Sequence, residues 1–378
     1  MATVYTTPGV YIEQLHNPSL SVGFSATAVP VFACDKEGLI KVKTRINSWL
    51  DVVKLLEASN ENAKFDFSDN LQSSLKTYFE NGGGYCWVIP TEELEDEVPK
   101  LDDVTLLVAA GEDIRTAVNA LCQRGKTLFA ILDGPDDEPT GHDGKTNSLP
   151  DEDEEHQYEL NPYAAVYYPW LHADWAADRD TTTGKITKHH KIPPSAAVAG
   201  AYCTVDRERG VWKAPANVVL KGGVRPAALV TDAFQGRFNV CSKPINMIRT
   251  FRGMGTTIWG ARTLENNDEW RYVPVRRLFN AAQRDIKKAM QAVMFEPNAQ
   301  PTWVQVSKAI DSYLYKVWQR GGLHGNKAEE AYFVQVGLGL TMTEDDIRAG
   351  QMIVKIGLAA VRPAEFIILQ FTQNMAQA

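Results

Sequence analysis

Few residues in this chain are spaced for catalysis, and each such group has a plainer reading. Ala120–Thr127 (ALCQRGKT) satisfies the loose pattern of a phosphate-binding loop. That chemistry needs a strand, a Gly-rich loop and then a helix whose first amides cradle the phosphate. Here Gly125-Lys126 follows a helical stretch and leads into a strand, so the order is reversed and the residues read as a helix C-cap. His189-His190, and His142 beside the acids of Asp151–His156, are the metal candidates. Adjacent histidines point apart, and acid runs without regular spacing are usually solvated loops. Glu13, Glu265, Glu269, Glu296 and Glu365 offer carboxylate pairs, but nothing fixes one as acid and another as base. There is no G-x-S-x-G, and no serine or cysteine has a histidine partner at a telling spacing. The cysteines (Cys34, Cys86, Cys122, Cys203, Cys241) are odd in number, lack CxxC spacing and sit beside apolar residues, as buried reduced thiols do. The expectation is no catalytic residue, no cofactor, no metal and no enzyme.

The elements around these residues describe an α/β protein. At 378 residues the chain is long enough for two to three domains. No apolar run approaches the ~20 residues of a membrane span, and MATVYTTPGVYIEQ has neither the basic nor the apolar region of a secretory signal. Cytoplasmic folding and assembly are therefore expected. The net charge of −8 is unevenly spread: Thr91–Leu160 holds 20 acidic residues against 5 basic, and the rest is mildly basic. No basic run interleaved with aromatics suggests nucleic acid.

Along the chain, residues 1–14 read as an extended arm. Asn47–Ala58 and a helix capped by Ser68 or Asp69 precede a short buried strand at Tyr85–Pro90. Val104–Val108, Ile114–Arg124 and Thr127–Leu132 form a βαβ unit; residues 136–160 read as a mobile acidic loop. Ala164–Tyr168 is a strand, and the small residues of Pro194–Ala201 suit a helix packed closely on a sheet. Val273–Phe295 and Thr302–Arg320 are the clearest amphipathic helices. Two strands, Ala331–Val336 and Met352–Ala359, flank a turn at Thr343–Gly350. The chain ends in the apolar strand Glu365–Phe371 (EFIILQF). The arm and this last strand carry unpaired backbone groups. They either complete a sheet within the chain or add to a neighbour's sheet, head to tail.

The densest text is rich in Trp, Gly, Pro and Arg and specifies backbone geometry and contact surface. Gly210–Asn217 (GVWKAPAN), Trp259–Leu264 (WGARTL), Trp270–Leu278 (WRYVPVRRL), Phe295–Asn298 (FEPN) and Arg362–Phe366 (RPAEF) occur in that order, after Thr7–Glu13 (TPGVYIE) at the start. In this order they resemble the contractile tail sheath proteins of myophage tails, R-type bacteriocins and phage-tail-like injection particles. The resemblance covers Thr7–Glu13 and then roughly Tyr158 to the end. Its motif residues here are Trp212, Pro215, Asn217, Trp259, Arg262, Trp270, Arg276, Arg277, Pro363 and Glu365.

The resemblance implies a multi-domain α/β subunit with a conserved C-terminal core, a variable outer domain and strand arms at both ends. Carried onto this chain, residues 1–14 are the N-terminal arm, 15–90 pack with the core, and 91–200 form the outer part. Residues 201–365 are the core and 366–378 the C-terminal arm. Arm exchange would use Val4, Tyr5, Val10, Tyr11 and Ile12, and Phe366, Ile367, Ile368, Leu369 and Phe371. It also implies a helical homopolymer with six-fold rings around an inner tube, contracting to drive the tube through a target envelope. Baseplate, terminal cap and sister sheath proteins are the further partners, within a virion-like or released extracellular particle. The tube-facing candidates are Lys308, Lys316 and Arg320 on one helix and Arg277, Arg284 and Lys288 on the other. Trp212, Trp259, Trp270, Arg249 and Arg262 are expected to anchor the core. A non-polymerising adaptor and a nucleotide-binding or hydrolytic enzyme on the βαβ segment are the alternatives.

Overall fold

The runs PVFAC, CWVIP, FAILD and AAVYY are apolar without alternation, which suits strands covered on both faces. In the computed structural model, which describes residues 20–59, 65–136, 158–180 and 182–368, all four lie inside one nine-stranded sheet. They are β1 (Pro30–Cys34), β3 (Cys86–Pro90), β5 (Phe129–Asp133) and β6 (Ala164–Tyr168). The others are β2 (Thr44–Ile46), β4 (Leu106–Val108), β10 (Val218–Val219), β12 (Ile245–Phe251) and β13 (Gly255–Ile258). The order is β10-β13-β12-β6-β5-β4-β1-β3-β2. The six strands from β12 to β3 run parallel, while β2, β13 and β10 pair antiparallel at the margins.

Parallel strands need crossovers, and these cover both faces. Helices α1 (Trp49–Ser59), α2 (Asn70–Glu80) and α5 (Pro194–Arg209) pack on one face. The other carries α3 (Leu94–Glu97), α4 (Arg115–Leu121) and α6 (Asp232–Val240). Small residues on α5 bring it close to α2: a Cβ on Gly200 would meet the Tyr78 carbonyl oxygen at 2.5 Å. Two small two-stranded sheets are separate from the main sheet: β7 (Leu171–His172) pairs with the distant β11 (Arg225–Pro226), and β8 (Ala177–Arg179) forms a hairpin with β9 (Ile186–His189).

A third core is helical. Leu278, Ala281 and Ala282 of α7 (Val273–Met290) meet Val306, Ile310, Tyr313, Leu314 and Val317 of α8 (Gln300–Gln319). After the short α9 (Ala328–Ala331), β14 (Tyr332–Gln335) and β15 (Lys355–Leu358) form a two-stranded sheet. Between them, α10 (Glu344–Arg348) begins in a capping box of Thr343 and Asp346.

This architecture corrects the expected division of the chain. β3 and β4, on either side of the 90/91 boundary, both flank β1, and α5 runs across the 200/201 boundary. Parallel neighbours come from distant sequence, so one sheet gathers strands from all three expected regions.

Candidate assembly surface

The residues with chemical promise fall in structural roles. Gly125, at φ 88°, and Lys126 form the turn between α4 and β5. The rings of His172 and His189 stack at 5.4 Å, and Arg225 donates to Nε2 of His189 at 2.8 Å, which occupies the lone pair a metal would need. His190 meets Asp178 at 3.0 Å. Among the described residues no three ligating side chains cluster. Glu13, His142, Asp151–His156 and most of 136–160 lie outside those residues. Of the cysteines, Cys34, Cys86, Cys122 and Cys203 are buried thiols, and Cys241 is partly exposed and donates to the Phe238 and Lys243 carbonyls. A deeply buried carboxyl, Asp133, lies at the end of β5. It accepts from the Ser195 amide (2.7 Å), the Ser195 hydroxyl (2.9 Å) and the Gly111 amide (2.9 Å), tying α5 to the sheet. Burial pushes it up to about 6 against those hydrogen bonds.

The chain's way out of the C-terminal region is sharply built. Arg262 is 7% exposed and grips Glu365 through Nε and Nη2, the latter at 2.6 Å, while also donating to the Asn239 carbonyl. Tyr272 donates its hydroxyl to the same carboxylate. Immediately beyond this latch the chain leaves the surface: Phe366, Ile367 and Ile368 are 71%, 79% and 82% exposed. They are in no strand, contrary to the expected strand from Glu365; Leu369 and Phe371 lie outside the described residues. Neither β14 nor β15 has a second strand partner among the described residues. A two-stranded ribbon with open edges accepts further strands.

The entry to the fold is laced as firmly. The Ser25 amide donates to Asp285, Arg284 to the Ala26 carbonyl, and Arg277 to the Thr27 carbonyl, while the Thr27 hydroxyl donates to Asp206. Val22 is buried in the third core, and Leu20–Val22 lie along a groove with Gln305, Lys308, Ser312 and Lys316 of α8. Val4, Tyr5, Val10, Tyr11 and Ile12 lie outside the described residues.

Arg277 is not a surface residue, which removes it from the tube-facing candidates. It is 3% exposed, pairs with Asp206 at 2.6 Å and lies 4.6 Å over the Tyr202 ring. The facing charge and hydrogen bonds of Asp206 hold its guanidinium above the usual range despite burial. Pro274, Arg277, Leu278, Ala281 and Asp285 form one buried helical stripe, to which Arg277 is held by its partner on α5. Arg284 is half-buried, and its hydrogen bond to Ala26 orients it inward; Lys288, Lys308, Lys316 and Arg320 are exposed. Arg320 covers the Phe24 ring at 4.4 Å.

Of the motif residues, Pro215 and Arg262 are buried, Pro363 is half-buried and Asn217 is exposed at φ 57°. Arg276 is buried 4.0 Å over Trp270, and Trp212 packs on the third core. Trp259 departs from the core expectation: it is 37% exposed and meets the Phe251 ring in a tilted contact at the sheet margin. Arg249 bridges Gln235 and Asp232.

Residues 265–374 match the phage tail sheath C-terminal domain family. Over 99% of both chains, the fold superposes with a TM-score of 0.85 and 56% identity on the sheath of PVC, an extracellular contractile injection system, in the contracted state. The anti-feeding prophage helical sheath in its contracted state gives 0.75 and 42% identity, over 98% of this chain and 100% of that one. A putative prophage major tail sheath protein of Pseudomonas aeruginosa strain UCBPP-PA14 is 27% identical over 175 residues, 44% of this chain but only 40% of the relative. The class is thus that of structural subunits of contractile injection particles. The chain belongs to the contractile tail sheath family and is a contractile sheath subunit.

Proposed function

We propose that this subunit polymerises helically around an inner tube by lending its terminal arms to neighbouring copies, and that rearrangement of the lattice drives the tube outward. The observation that carries this reading is the latch at Glu365. A residue gripped by a buried arginine is followed at once by three exposed large apolar residues. The latch fixes where the arm leaves, and a neighbour's β14–β15 ribbon offers open edges for it. Backbone pairing of this kind holds while side-chain interfaces exchange, which suits a joint that must survive contraction.

In this reading the role is mechanical rather than enzymatic. Lys288, Lys308, Lys316 and Arg320 face the tube, where screened pairs worth about 0–1 kcal/mol each allow release yet add up over many copies. The baseplate, terminal cap and sister sheath proteins meet the ends of the polymer or join its lattice. Assembly takes place in the cytoplasm before the particle is released.

The test is a chain ending at Glu365, compared with the full chain by electron microscopy and thermal melting. The expected result is an unchanged melting temperature with hollow striated cylinders lost. Cylinders of normal length would remove the C-terminal arm from the joint. If the full chain yields only a small defined complex, even with its tube added, the adaptor reading replaces this one.

A further inference from the structure

The connection between α7 and α8 presents an aromatic side chain at a conformational cost. Phe295 has φ 68° and is fully exposed at 101%, with Met294 beside it at 63%. A bulky residue in the left-handed region is strained, and an exposed phenyl ring gains no burial in return. The turn is nevertheless held firmly. Asn298 accepts from the Trp303 indole at 2.7 Å and donates to the Gln351 carbonyl at 2.8 Å, fixing the turn to α8 and to the loop before β15. A rigid, strained and exposed aromatic is preorganised for insertion into a partner.

The same chain carries a matching surface elsewhere. Across the β12–β13 hairpin, the rings of Phe251 and Trp259 meet with centres 4.6 Å apart and planes tilted by 56°, and Met254 in the turn is 46% exposed. Next to Phe295 stands exposed Glu296; next to Phe251 stands exposed Arg252. Neither forms an ion pair among the described residues. Each patch thus has exposed apolar side chains, Met294 and Phe295 in one and Met254 and Trp259 in the other, and a charge with no ion-pair partner among the described residues, and the charges are opposite.

We infer that Met294–Glu296 of one subunit docks on the Phe251, Met254 and Trp259 surface of a second copy, with Glu296 meeting Arg252. This rests on the sheath reading, since the two surfaces differ and a head-to-tail contact propagates rather than closing into a dimer. It assigns a lattice contact separate from the arms.

Under conditions where the wild-type chain forms sheaths, Phe295→Asp should lower the sheath yield by about tenfold or more. Phe295→Gly should do the same while leaving the melting temperature unchanged or raised, because glycine relieves the backbone. Glu296→Arg and Arg252→Glu should each reduce the yield, and the double exchange should restore it to within about twofold. Loss without rescue would overturn the pairing. Normal sheaths from Phe295→Asp that no longer retain the inner tube would assign the surface to the tube instead. Absence of sheaths from the wild-type chain, with and without tube, would sink the underlying reading before this one.

Discussion

At the scale of single residues, the decisive placement is that of Arg277 and Asp206. Two opposite charges, 3% and 5% exposed at their side chains, meet at 2.6 Å where the entering segment, α5 and α7 converge. Desolvation makes such a pair a weak source of net stability, yet removing one partner strands the other. Arg277→Ala and Asp206→Ala should each cost about 3–5 kcal/mol. The double substitution should cost clearly less than their sum, because no buried charge remains unpaired. Denaturant unfolding of the three variants decides it, and strict additivity would show that the two groups are uncoupled. The sequence marked α7 as amphipathic but not the burial of Arg277, since its partner lies 71 residues away on another helix. Glu365 was named by its motif alone; its part as a latch depends on Arg262, 103 residues away.

At the scale of elements, the α2–α5 contact shows how small residues set a distance. A methyl on Gly200 would meet backbone, the Tyr78 carbonyl oxygen at 2.5 Å, which cannot move aside cheaply. Gly200→Ala should therefore destabilise by about 1–3 kcal/mol through overpacking, despite the better helix propensity of alanine. Gly236, in α6 with nothing within 4 Å of its would-be Cβ, is the control; Gly236→Ala should stabilise by about 0.4–1 kcal/mol. Equal signs in thermal melts would refute the close-packing account. Elements of this kind were largely legible. The unit Leu106–Val108, Arg115–Leu121 and Phe129–Asp133, the strand Ala164–Tyr168 and the α8 stripe follow from local periodicity and capping. Strand order was not legible. Nothing local tells β1 to pair with β3 and β4, so the expected boundaries cut through one sheet. Trp259 misled for a related reason: composition marks it as an anchor, and only its place at the margin exposes it.

At the scale of the whole molecule, the exposed lysines of α8 stand where two assembly roles meet. Lys308 and Lys316 line the groove along which Leu20–Val22 run, so the same charges border the root of the N-terminal arm. Contact with a tube and support of an arm make different demands. A tube contact is made only when tube is present, is screened by salt and is repeated along the polymer. Support of an arm is needed for every joint between subunits, with or without a tube. Lys308→Glu with Lys316→Glu should therefore leave the melting temperature and tube-free polymerisation nearly unchanged. The same variant should co-sediment at least several-fold less tube at low salt, and the difference should shrink as salt is raised. Loss of tube-free sheaths would move these lysines to the arm joint and leave Lys288 as the tube-facing candidate on α7. The choice is a mechanical one: a charge that serves the joint must hold through contraction, and a charge that serves the tube must let go.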